Sequence, residues 1–159
     1  MLGQSAVSMG TNTPQALFPE TIQSRFGAIS VDVSKSVTFP RGLLGMPGKE
    51  NFVLTNFNNP KMEQFKLLQS LDELQLSFIT LPVDMDNNII GVNDIRSTAD
   101  DLGIAYGDLV VLLIVSVHRS PDSVKLSVNA RAPLFLDVKN KTGMQYVFSN
   151  DAYKVQHYI

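Results

Sequence analysis

Short stretches with a period of two, each ended by a turn signal, constrain this chain more than any other feature of its sequence. Apolar and polar side chains alternate over residues 28–33 and 124–130, the pattern of a strand with one buried face. Residues 109–117 are apolar on both faces, which is typical of a central strand. They form a predicted hairpin with 124–130. Further strands are predicted at 37–39, 52–54, 65–69, 78–81, 134–138 and 145–148, with a turn at 140–143 in which Gly143 takes a positive φ. Many short strands with frequent turns indicate an antiparallel barrel or sandwich.

One segment has the period of a helix. Ile95, Ala99 and Leu102 share one helical face, because side chains three and four positions apart lie side by side on a helix. Asn93 is a residue type that caps helix N-termini, and Gly103 stands where a left-handed residue often ends a helix. The sequence therefore predicts an all-β-leaning domain with one short helix from Asn93 to Leu102.

The composition narrows the function classes. The chain has 159 residues, no cysteine and a formal net charge of −2. Disulfides and thiolate chemistry are therefore excluded, and the charge argues against direct nucleic-acid binding, which needs clustered Lys and Arg. The longest apolar run, 109–115, is far shorter than the roughly 20 residues of a membrane-spanning helix, so no membrane partner is expected.

The first 24 residues differ from the rest of the chain. They are rich in Ser, Thr, Gly, Asn and Gln and carry a single charge, Glu20. Such a segment buries too little apolar surface to offset its ordering entropy. We predict a flexible tail over 1–24 and a single β domain over 25–159. No basic residue precedes Arg25 and no apolar stretch resembles a secretory signal.

Chemically reactive groupings are sparse. His118, Ser120 and Asp122 fall in one predicted turn, whereas the members of a catalytic triad converge from separate elements. Asp84 and Asp86 are not followed by the distant bidentate Glu that a calcium loop needs. No phosphate-binding, nucleophile-elbow or zinc motif occurs. The sequence predicts no catalytic residue, no cofactor and no metal.

Five blocks of the sequence, in order, resemble those of the flagellar assembly factor family FliW. The most specific is the F-P-x-G-L-x-G pattern of Phe39, Pro40, Gly42, Leu43 and Gly45. The other blocks are Leu67–Leu68–Gln69–Ser70 with Asp72, the segment 126–134 that contains Asn129 and Pro133, the G-x-Q of 143–145, and the ending 153–157 with Tyr153 and His157. The chain departs from the family pattern at Met46, Pro47, Ala130, Gln156 and Tyr158.

The resemblance implies a function by binding. Proteins of this family hold newly made flagellin in the cytoplasm and, once free of it, bind the translational repressor CsrA and oppose its action on flagellin messenger RNA. It also implies a small antiparallel β-barrel-like domain and no enzymatic activity.

The candidate site residues fall into three sets. The first is a stretch of acidic residues, which would form either a surface complementary to a basic repressor or an ordinary solvated face. Asn129 is a candidate either for partner contact or for a hydrogen bond to a loop, and Tyr153 and His157 are candidates either for partner contact or for closing the barrel end. The acidic candidates are Asp84, Asp86, Asp94, Asp100, Asp101 and Asp108; the residues expected to support the fold are Phe39, Pro40, Gly42, Leu43, Gly45 and Pro133.

Two other functions compete with this reading. A small-ligand or flavin-type split β-barrel would need a basic phosphate clamp, and Arg119, Lys125 and Arg131 are scattered in sequence. An RNA-binding barrel would need exposed aromatic residues flanked by Lys and Arg, which Tyr146 and Phe148 lack.

Overall fold

The computed structural model of the protein describes residues 20–84 and 87–159. Their strands and helix follow the turn signals of the sequence. The elements are β1 Glu20–Ser24, β2 Gly27–Val31, β3 Val37–Thr38, β4 Asn51–Asn56, β5 Lys66–Ser70, β6 Ser77–Pro82, α1 Val92–Leu102, β7 Leu109–Arg119, β8 Val124–Val128, β9 Leu134–Asp137, β10 Thr142–Gln145 and β11 His157–Tyr158. The prediction of a mostly β domain with one short helix is confirmed for the described residues.

Seven strands close into a barrel in the order β7-β6-β5-β4-β3-β10-β9, and β9 pairs back onto β7. Neighbours are antiparallel except β3 and β10, which are parallel. Closure depends on the length of β7. Its first residues pair with β9, its centre pairs with β6, and residues from Val115 to Arg119 extend past the barrel to pair with β8. The predicted hairpin of β7 and β8 is confirmed, and β11 adds to the outer side of β8.

Three clusters of buried apolar side chains form the core of the described residues. The largest joins α1, through Ile95, to Leu113 and Phe135. A second surrounds Phe39 and Phe52, whose rings meet edge to face with centroids 5.5 Å apart, an arrangement that aromatic pairs prefer. The third lies between the β1–β2 hairpin and the barrel wall. The helix is thus held on the barrel by its apolar face, as its sequence period requires.

The structure corrects two details of the helix and its neighbouring turns. Helix α1 begins at Val92 with Gly91 as its N-cap, and no side chain caps it, so the prediction for Asn93 is wrong. The stop at Gly103 is confirmed, with φ of 73° and its N–H bonded to the carbonyls of Ala99 and Asp100. In the later turn the positive φ belongs to Lys141, at 55°, and not to Gly143.

The last predicted strand is displaced. Strand β10 ends at Gln145, and the predicted strand 145–148 is irregular beyond that residue. Its backbone is still satisfied, because Tyr146 N–H bonds to the Pro133 carbonyl at 3.0 Å and Phe148 N–H to the Arg131 carbonyl at 2.8 Å. The prediction of a strand over 145–148 is therefore wrong beyond Gln145.

The predicted N-terminal tail included residues 20–24. In the structure Glu20–Ser24 form β1, paired with β2 in the register Ile22 to Ile29, and the division of the chain into a tail and a domain stays a prediction. The predicted tail over residues 1–19 lies outside the described residues. No helix in the part of the chain described is long and apolar enough to cross a membrane.

Candidate functional site

The segment 39–46, which contains the F-P-x-G-L-x-G pattern, folds into a double turn that we call the motif turn. Hydrogen bonds within its own backbone hold it. Gly42 N–H bonds to the Phe39 carbonyl at 2.8 Å and Met46 N–H to the Leu43 carbonyl at 2.9 Å. Phe39 and Leu43 point into the core. Gly42 has a φ of 65°, and a Cβ there would lie 2.8 Å from the Met46 carbonyl oxygen. This position therefore requires glycine.

Strand β10 locks this turn from the other side. A Cβ on Gly143 would lie 2.6 Å from the ring of Phe39, which is fully buried. Gln145 accepts a hydrogen bond from Leu44 N–H at 2.9 Å and donates one to the Ala132 carbonyl at 3.1 Å. Two sequence blocks that are far apart in the chain thus meet, and the glycine and glutamine of the second serve the packing of the first.

A cavity of about 450 Å³, which we call the motif cavity, lies between this turn, β10 and the C-terminal end of α1. Leu102, Ile104 and Phe135 give it apolar walls, and Arg41 and Asp137 also line it. The backbone and side-chain amides of Asn140 donate to the Asp137 carboxylate and hold its pKa below the ordinary value. A carboxylate bonded in this way stays ionised in the folded protein.

A second cavity of about 680 Å³, which we call the helix groove, lies between the end of β6, the first turns of α1 and the start of β7. Ile90 and Ile95 form a buried floor, whereas Val92 and Tyr106 stand half-exposed at its walls, with 52% and 50% of their surface open. Asp84 lies on its rim. Exposed large apolar side chains around a concavity are typical of binding surfaces.

Two of the predicted partner residues meet each other. The Tyr153 hydroxyl donates to Asp94 Oδ2 at 2.5 Å and accepts from Gly91 N–H at 2.9 Å. Burial and the neighbouring Asp94 carboxylate raise the pKa of Tyr153, so the hydroxyl keeps its proton and remains the donor. The pair fixes the N-terminal end of α1 to the C-terminal segment.

The other acidic candidates are spread around the helix. Asp100 and Asp101 are exposed in its last turn, where no basic residue accompanies them, and they form no salt bridge with a residue that the structure describes. Asp108 is half-buried, and its carbonyl accepts from Val138 N–H at 2.9 Å. Asp86 lies outside the described residues. The acidic stretch therefore surrounds α1 without gathering at one point.

The remaining candidates take structural positions. Asn129 Oδ1 accepts from Ala132 N–H at 3.0 Å and shapes the bend between β8 and β9. Pro133 is buried in that bend. His157 is exposed in β11 and pairs with Val128. Pro40 is exposed, and Gly45 closes the motif turn with φ of 81°. The roles assigned to these residues, in partner contact or in support of the fold, stay predictions.

Sequence reasoning missed the C-terminal contacts and the groove walls. His118, predicted to lie in a turn with Ser120 and Asp122, is part of β7, and its Nε2 lies 2.7 Å from Ser127 Oγ and 3.2 Å from Gln156 Nε2. Arg131 holds the same C-terminal segment through Asp151 and a backbone carbonyl. The sequence did not predict that Tyr106 lines a groove, because an isolated aromatic residue does not indicate whether its ring is buried or exposed. In residues 20–84 and 87–159, no three His, Cys, Asp or Glu side chains cluster as a metal site.

In the described residues, these features define a small, closed β-barrel with one α-helix on its surface and a cavity at each end of that helix. A family model described as FliW protein matches residues 20–159. The chain belongs to the FliW family.

Curated relatives and a solved structure agree with this assignment. The chain is 31% identical to a flagellar assembly factor FliW of Geobacter sulfurreducens, over 84% of this chain and 82% of the relative. It is 30% identical to flagellar assembly factor FliW 2 of Desulfotalea psychrophila, over 86% of this chain and 87% of the relative. A crystal structure of the flagellar assembly factor FliW superimposes with a TM-score of 0.63 and 25% identity, covering 87% of this chain and 96% of that one.

Proposed function

We propose that this protein holds flagellin in the cytoplasm and, once released from it, binds a CsrA-type translational repressor and opposes its action, without catalysing a reaction. The observation that carries the proposal is the family assignment over residues 20–159, whose curated relatives are named flagellar assembly factors. The chain is nearly as long as those relatives, so the proposal concerns the whole domain.

Competition between two partners gives such a protein a regulatory output. While flagellin is abundant, it occupies the protein and leaves the repressor free to act. When flagellin is exported, the free protein accumulates and binds repressor by mass action. If the repressor then holds messenger RNA less tightly, the two affinities are linked by one coupling free energy.

The exposed end of α1 supports a basic partner. Asp100 and Asp101 stand where the helix macrodipole disfavours negative charge, and no basic side chain in the last turn offsets them. Charges that do not serve helix stability are available to attract a positively charged partner and to speed its encounter. We place the repressor-facing surface on this side of the domain.

Titration calorimetry tests the proposal. Repressor is titrated into the free protein and into the protein saturated with flagellin, at low and high salt. We expect binding to the free protein, none to the flagellin complex, and weaker binding in high salt. Simultaneous binding of both partners overturns the exclusive mechanism, and failure of either to bind overturns the proposed function.

A charge-reversed pair locates the surface. Asp100→Lys with Asp101→Lys is expected to weaken repressor binding by roughly 1–3 kcal/mol if the two residues lie near the centre of contact. Glu63→Lys with Asp122→Lys is the matched control, since it changes the net charge equally at exposed positions outside α1. Equal loss in both double variants shows a general charge effect and removes Asp100 and Asp101 from the interface.

A small-ligand role is the second candidate, and the motif cavity is the observation that favours it. Its volume of about 450 Å³ falls within the range of small-molecule sites, roughly 300–1,000 Å³. Arg131, one of the scattered bases, is already bonded to Asp151. Native mass spectrometry and the absorbance spectrum of the purified protein test this role, which a ligand-free mass without a chromophore contradicts.

A further inference from the structure

We draw no further inference here: the strongest candidate, the helix groove between the end of β6, the first turns of α1 and the start of β7, has one carboxylate, Asp84, among the described residues that line it and an arginine, Arg96, stacked on its Tyr106 wall, and nothing in the structure shows what covers it.

Discussion

The motif turn and the helix groove lie at opposite ends of helix α1 and use their side chains in opposite ways. In the motif turn, Phe39 is fully buried and Gly42 leaves no space for a Cβ. Gln145 of the adjoining β10 is hydrogen-bonded to Leu44 and to Ala132. In the groove, Val92 and Tyr106 keep half of their surface open. The first region is occupied with holding itself together, and the second retains surface that another molecule can cover.

In this protein, the segment with the most recognisable sequence is not the one that leaves apolar surface exposed to another molecule. The motif turn identifies the family because its geometry tolerates few residues: a positive φ, a backbone contact and a buried ring are all required at once. The groove needs only that its walls be apolar and exposed, a condition that many residues satisfy. A strong sequence signature therefore marks a constraint on folding here, and the surface that we propose for a partner lies where the sequence is less distinctive.

Gly143→Ala gives the largest expected loss of stability. Its Cβ would meet the Phe39 ring at 2.6 Å, and that ring is closed in by the core, so the variant should lose roughly 1–3 kcal/mol of unfolding free energy. Gly107→Ala is the control, because nothing lies within 4 Å of its Cβ. Denaturant unfolding measures both. Equal stability would show that the barrel yields around Phe39, and the two regions would then differ less than proposed.

Asp137→Asn probes the charge in the motif cavity. The hydrogen bonds from Asn140 lower the pKa of Asp137 in the folded state, so its stabilising contribution is present above the unfolded pKa near 3.9 and is lost as the pH falls through the folded value. The variant should melt lower than the original at neutral pH, and the gap should narrow in acid below about pH 4. Calorimetry over that range decides, with Asp122→Asn, in the exposed hairpin turn, as control. A gap that does not depend on pH contradicts the assignment.

Tyr153→Phe tests the contact that holds the groove open. It removes the hydrogen bonds to Asp94 and from Gly91, and we expect a loss of about 0.5–1.5 kcal/mol together with faster amide exchange in the first turn of α1. Tyr106→Phe is the comparison, since the Tyr106 hydroxyl has no hydrogen-bond partner among the residues that the structure describes. Unchanged exchange in Tyr153→Phe would show that the core alone positions the helix.

The smallest effect is expected from Asp100→Lys with Asp101→Lys. Cations are favoured at a helix C-terminus, so the double variant should be more stable by a few tenths of a kcal/mol, up to about 1. This gain, measured by thermal melting, would accompany the loss of repressor binding described above. A loss of stability would instead mean that these carboxylates make a structural contribution, which would weaken the contrast between the two regions.

The sequence by itself determined the helix and the strands from β2 to β9. The pattern of apolar residues indicates which side chains of one segment share a buried face. It does so through the alternation at 28–33 and 124–130 and through the spacing of Ile95, Ala99 and Leu102. That information depends only on residues close together in the chain. The same holds for the preference of glycine for the left-handed backbone conformation that Gly103 takes at the end of α1. These predictions needed no knowledge of distant partners.

Only the tertiary structure decided how those pieces meet. Pairing of β9 with β7 closes the barrel, β1 becomes a strand because β2 folds back onto it, and Gly143 is required because the Phe39 ring arrives from the other end of the chain. The Tyr153–Asp94 contact spans 59 residues, and the exposure of Tyr106 depends on where β6, α1 and β7 come to rest. Periodicity records whether a side chain is buried, whereas pair contacts and open surface are properties of two or more segments, fixed once packing brings them together.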